Sequence, residues 1–301
     1  MDYLRVGALL LMVFIHTARS FMGWDGLDGV LTTIGEAAPF PFFFALGMTS
    51  NRLVASPPAV QVERLGWFGL VAVWHSYHMW FSMHWEFFMC LWVAMCSIAL
   101  GRGVGASTRH CVIVAALLLV ANAVVPLSPT SAATPDAWLQ YGPFFPIPWI
   151  VPVLLGVGAG IEFPIRWRRT GIVLGLAAAV AAATAKSVFE APQDPFGLRF
   201  IAEKNAATSA YMIAGCAGAA LFYLLLGWIP FERSLCRRCN AAVRFVSDRL
   251  LVATVLHHLS VRLITDPRWH WSAAVAFKRT AGGAEICVLL GASVVLLLLL
   301  L

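Results

Sequence analysis

Arg5 and His16 stand eleven positions apart in the opening segment YLRVGALLLMVFIHTARSFM. At about 100° per residue this is close to three full turns, so a helix puts both side chains on one stripe, ~16 Å apart along its axis. The segment predicts a membrane-spanning helix, where ionisable groups are costly and turn toward a pocket or pathway. An arginine near one end of such a helix and a histidine in its other half suit chemistry passed from one side to the other. The plainer alternative makes Arg5 an anchoring cation and His16 an interhelical hydrogen bonder.

The elements that must position this pair follow from composition. The chain has 301 residues, of which 60% are hydrophobic and only 12% charged, with twelve tryptophans. Mean hydropathy is +0.80. A soluble domain carries about a quarter charged residues, so the expectation is an integral, multi-pass membrane protein built as an all-α helical bundle. A single domain over 1–301 is expected. The first helix reads as a retained signal anchor, because no small-residue cleavage site follows it. The net charge of +6 reads as a topology signal, since no basic, aromatic-studded segment is long enough to bind nucleic acid.

Ten spans are predicted, over 3–22, 37–54, 65–83, 86–101, 110–126, 146–162, 170–187, 208–230, 249–265 and 281–301. Arginines such as Arg52, Arg64, Arg102, Arg109 and the 233–249 group then gather in one set of loops, which places both termini in the cytoplasm. The segments 126–146 and 188–207 are polar enough for a lid or mouth but too short for a folded domain. No internal repeat is evident.

Histidine and cysteine supply the other chemical groups. WHSYHMWFSMHWEFF puts His75 and His78 on one helical face with His84 and Glu86 nearby, and LHHLSVR adds His257 and His258. A di-iron centre needs several HxxxH and HxxHH boxes, and this chain offers one HxxH and one HH, so no metal is expected. Trp74, Trp80 and Trp85 read as an interfacial aromatic belt. Cys90, Cys96, Cys111, Cys216 and Cys287 read as small buried hydrophobes. Cys236 and Cys239 form a CRRC without the second ligand pair that structural zinc requires.

The opening MDYLRVGALLLMVFIH resembles the first helix of the membrane acyltransferase superfamily, which includes the acyltransferase-3 and heparan-α-glucosaminide N-acetyltransferase catalytic families. Asp2, Arg5 and His16 match its pattern, whereas Val6 stands where the family has glycine. APFPFFFALGMTSNRL (38–53) is similar to a second block that ends at a glycine, here Gly47. GPFFPIPWIVPVLLGVGAG (142–160), with Trp149, is similar to a third. SDRLLVATVLHHLSVRL (247–263) is similar to a late helix whose histidine aligns with His257; Thr254 replaces the family's tyrosine.

The resemblance implies an acyltransferase moving an acetyl group from cytoplasmic acetyl-CoA to an amine or hydroxyl of a saccharide-type acceptor across the membrane. His16 is then the base and Arg5 orients the donor, with Arg52 and Arg64 as further partners for its phosphates. His257 assists or donates to the developing oxyanion, and Asp2 holds the Arg5 guanidinium. Gly47 and Trp149 support the helices, and Gly156 and Gly160 permit close packing. The loop 20–35 has no histidine or cysteine, which favours direct transfer over a covalent relay. The bilayer is an expected partner, and oligomer formation stays open. The second functional class is a transporter or flippase that uses the same polar cavity, and the third a structural or assembly protein with no catalytic role.

Overall fold

The computed structural model describes residues 2–22, 38–80, 86–124, 146–161, 209–228 and 237–265. Among them the only regular element is the α-helix. In chain order these are α1 (Asp2–Met22), α2 (Pro39–Val54), α3 (Pro58–Trp80), α4 (Phe87–Gly103), α5 (Thr108–Val124), α6 (Pro146–Ile161), α7 (Ser209–Trp228), α8 (Arg237–Asp248) and α9 (Leu250–Thr265). The all-α expectation therefore holds for the described residues.

The chain divides into two compact units, residues 43–225 and residues 1–42 with 226–301. In the second of these, α1 packs on α8 and on α9. The buried side of α1 carries Leu4, Ala8, Leu9, Met12 and Val13, an i, i+4, i+5, i+8, i+9 pattern that makes one helical stripe. A turn at Arg249 separates α8 from α9, and Arg249 lies over the Phe245 ring with 3.9 Å to its centroid. The segment 237–248 reads as a charged loop in sequence and is helical here.

In the 43–225 unit, α3 and α4 run antiparallel. Trp92 donates its indole N–H to the Leu65 carbonyl at 2.9 Å, Phe68 meets Phe88, and His75 meets Glu86 at 2.8 Å, so rising numbers on α3 pair with falling numbers on α4. Short connections at both ends are explained by their residues. Pro58 opens α3 at the position where a missing N–H costs nothing, and the Gln61 amide donates to the carbonyls of Val54 and Ser56. Gly105 takes φ +87 after α4, a backbone conformation open to glycine, and Ala106 N–H returns to the Gly101 carbonyl at 2.8 Å. Ser107 then caps α5: its hydroxyl accepts from His110 N–H, and His110 Nδ1 accepts from Ser107 N–H at 3.0 Å.

The core of this unit is aromatic. Trp149 of α6 is fully buried and stacks at a tilt on Phe43 of α2, with 5.1 Å between centroids; Tyr211 of α7 meets it edge-on. Beside this cluster α2 and α6 touch backbone to backbone. A methyl on Gly47 would fall against the Val153 carbonyl, and one on Gly156 against the Phe44 carbonyl. These two glycines set the distance between the helices. Gly156, expected with Gly160 to permit close helix packing, faces Gly47 and Phe44.

Among the described residues no helix is long and apolar enough to cross a membrane. This overturns the expected integral, multi-pass membrane placement, and the assignment of both termini to the cytoplasm falls with it. The physical reason is length and charge. Helices α2, α6 and α9 have 16 residues and α4 and α5 have 17. At 1.5 Å per residue they reach ~24–26 Å, short of a hydrocarbon core of ~30 Å. The 23-residue α3 carries Glu63 and Arg64, and the 21-residue α1 carries Asp2, Arg5 and Arg19. The described side chains of α7 run over 211–225. The predicted spans 170–187 and 281–301, and the loops 20–35, 126–146 and 188–207, lie wholly or almost wholly outside the described residues.

The glycine contact gives a direct test. Gly47→Ala is expected to destabilise the protein by about 3 kcal/mol, because backbone atoms of α6 must move to admit the methyl. Gly218→Ala in α7 meets nothing within 4 Å and is expected to be neutral or to gain up to ~1 kcal/mol of helix propensity. Thermal unfolding of the two variants measures the difference; equal effects would contradict the packing described.

Candidate functional site

The unit formed by α1, α8 and α9 brings together the residues at the start of the chain. The Arg5 guanidinium (Nη1) donates to the Ser247 hydroxyl at 3.5 Å, and that hydroxyl donates to the Asp2 carboxylate at 2.9 Å. Arg5 and Asp2 are half-buried, while Ser247 is buried. Asp2 was expected to hold Arg5 by a direct i, i+3 contact. The structure inserts a hydroxyl from the end of α8, so the carboxylate's influence reaches the guanidinium through Ser247. A second link, from the Tyr3 hydroxyl to the Asn240 side chain, pins the same end of α1 to α8.

Ser247 was missed as a functional candidate. It opens the quoted SDRLLVATVLHH block, two residues before the turn at Arg249, and a serine ahead of a helix reads as a cap. Its actual role depends on α8 packing against α1, a pairing across 242 residues that no local pattern encodes.

His257 lies on α9, which packs against α1. Its side chain is 1% exposed, and burial pushes its pKa down to about 4, so the ring is neutral at pH 7. His258 is buried beside it, with ring centroids 5.6 Å apart. A neutral imidazole held in an apolar surround serves better as a hydrogen-bond donor than as a proton acceptor at neutral pH. His16 is within α1, and its side chain lies outside the described residues.

The remaining expected site residues fall in the 43–225 unit. Arg52 and Arg64 are exposed at the end of α2 and the start of α3. Gly47 and Trp149 are buried in the helix contact and the aromatic core. The histidine cluster resolves into one pair: His75, fully buried, faces Glu86 with Nδ1 2.8 Å from a carboxylate oxygen and packs edge-on against Phe88. Sequence placed Glu86 only near the cluster. The side chains of His78 and His84 lie outside the described residues, as do those of Cys236, Cys239 and Cys287.

Cys90 and Cys216 are buried, and burial alone raises both thiols well above the usual range. Cys96 and Cys111 shift the same way for the same first reason. These four thiols are protonated at neutral pH; Cys90, Cys111 and Cys216 are buried, as expected from sequence, whereas Cys96 is half-buried.

A scan against models of known protein families found none that matches this chain, and a search of curated proteins found no match.

The buried imidazole makes stability pH-dependent. Folding lowers the His257 pKa from its unfolded value, ~6.5, to about 4, so the unfolded chain holds the proton more tightly in between. The cost is absent above ~6.5 and grows as pH falls toward 4. Between pH 7 and pH 4 the wild type is expected to lose about 3 kcal/mol more stability than His257→Phe, read by urea unfolding at each pH. Equal losses would contradict a desolvated ring at this position.

Proposed function

We propose that this protein is an acyltransferase that moves an acetyl group from acetyl-CoA to an amine or hydroxyl of a saccharide-type acceptor. The observation that carries the reading is the Asp2–Ser247–Arg5 chain of hydrogen bonds on the helix that also bears His16. It supports the reading because it holds a planar, permanently charged donor fork in a half-buried place, suited to a phosphate or the polar arm of a thioester donor. The four sequence blocks that resemble the acyltransferase families supply the reaction class.

In the proposed reaction the acceptor's nitrogen or oxygen attacks the thioester carbonyl. The new C–N or C–O bond forms as the C–S bond breaks. His16 takes the proton from the acceptor and returns it to the departing thiolate, so thioester and acceptor become acylated product and free thiol. His257, neutral because it is buried, donates a hydrogen bond to the oxyanion that develops on the carbonyl. Arg5 binds and orients the donor, and Ser247 and Asp2 hold Arg5. Arg52 and Arg64, in the other unit, carry no step.

Purified full-length protein supplied with acetyl-CoA and glucosamine is expected to release free thiol. His16→Ala is expected to lower that rate by about 10²–10⁴-fold while CoA still binds, the range for loss of a general base. Arg5→Gln is expected to weaken CoA binding. Unchanged turnover in His16→Ala, or no turnover by the wild type with any amine or hydroxyl acceptor, would overturn the proposal.

A further inference from the structure

Helix α3 is amphipathic in an unusual sense, because its solvent-facing side is apolar. Gly69, Ala72, His75 and Ser76 form its buried side. Val62, Trp67, Leu70, Val73, Trp74 and Tyr77 are all exposed, with Val62 at 71%, Trp67 at 66% and Leu70 at 63%. At 100° per residue the six fall within an arc of about 140°, opposite the buried side. They run as one ridge ~22 Å long, since fifteen residues rise 1.5 Å each. The acid on this arc is Glu63, near its beginning.

One end of that ridge is basic. Because α3 and α4 are antiparallel, the start of α3 and the end of α4 share one end of the 43–225 unit. The short turn 55–57 brings the end of α2 there, and the turn 104–107 brings the start of α5. Arg52, Arg64, Arg102 and Arg109 therefore gather at this end, four guanidinium groups with Glu63 as the acid of segments 49–64 and 100–110. Arg52, Arg64 and Arg109 are exposed; Arg102 is half-buried and spends one N–H on the Ala106 carbonyl at 3.0 Å.

We propose that this ridge docks the protein onto an anionic lipid surface, with α3 lying in the plane of the headgroups and the arginine end against lipid phosphates. The charge pattern selects this occupant. A second copy of the chain would bring the same four cations, whereas an anionic leaflet supplies their counter-charge. The side-chain types agree, since Trp67, Trp74 and Tyr77 each join an apolar ring to a polar tip, the arrangement favoured where hydrocarbon meets water. Aliphatic Val62, Leu70 and Val73 between them enter the acyl boundary, as on helices that lie in an interface rather than cross it. This inference stands apart from the proposed acyl transfer, in which Arg52 and Arg64, the expected further partners for the donor's phosphates, carry no step.

The test is flotation of the full-length protein with vesicles of phosphatidylcholine alone or phosphatidylcholine mixed with phosphatidylglycerol. Two further proteins accompany it: the triple reversal Arg52→Glu, Arg64→Glu, Arg109→Glu, and a variant with the photoreactive residue benzoylphenylalanine at position 70. All four altered side chains are exposed, and far-ultraviolet circular dichroism checks that each variant keeps its helices. The expected result is preferential binding to the anionic vesicles, weakened about tenfold or more by the charge reversal, with a covalent adduct between position 70 and lipid. Equal binding to both vesicle types, insensitivity to the reversal, or an adduct at position 70 to protein in place of lipid would overturn the proposal, the last pointing to a second copy or another polypeptide on this face.

Discussion

A guanidinium carried on a helix whose neighbouring positions are buried and apolar has to find polar partners, and this requirement organises the unit formed by α1, α8 and α9. Arg5 shares α1 with Leu4, Ala8 and Leu9, each at most 1% exposed. Its charge is kept there by a hydroxyl that arrives from α8 and a carboxylate one turn earlier on α1. The 2.9 Å bond from Ser247 to the Asp2 carboxylate contributes about 1.5–3 kcal/mol, and the 3.5 Å contact from Arg5 to Ser247 contributes less. The docking of α8 on α1 and the orientation of the guanidinium are thus one feature, and α9, continuing from α8, brings His257 to the same unit.

The 43–225 unit obeys a different constraint, the close approach of α2 and α6. Two glycines without side chains allow backbone contact, and large rings fill the space around it. Phe43 and Trp149 pack there together with Tyr211, and Phe87 meets Phe43 edge-on with 5.3 Å between centroids. The buried His75–Glu86 pair lies between α3 and α4 of this unit. A buried ion or hydrogen-bonded pair of this type is a weak source of net stability but is costly to break from one side, so it fixes how the two helices face each other.

Legibility in the sequence follows the range of the interaction. Helix type was readable because apolar content and local periodicity are local: α2, α4, α5, α6 and α9 appear within a few residues of the predicted segments. The buried, inert character of Cys90 and Cys216 was readable from residue type. Ser247 was not, because its partners are Asp2 and Arg5 at the other end of the chain. Nor was the pairing of His75 with Glu86, which depends on the turn that folds α4 back on α3. The membrane-spanning assignment failed for a physical reason visible in α3 and α5. Hydropathy counts apolar residues without saying which surface they meet, and here many stand on exposed faces of helices that are too short or too charged to cross a bilayer.

Within the acyl transfer proposed above Ser247 acts through Arg5, and a double-mutant cycle on acetyl-CoA turnover with Arg5→Gln and Ser247→Ala tests that proposal most directly. If the hydroxyl serves to hold the guanidinium, Ser247→Ala changes the rate in the wild type and changes it little once Arg5 is gone, a coupling of about 0.5–3 kcal/mol. Strictly additive effects would contradict the account, since they would mean that the two side chains contribute independently.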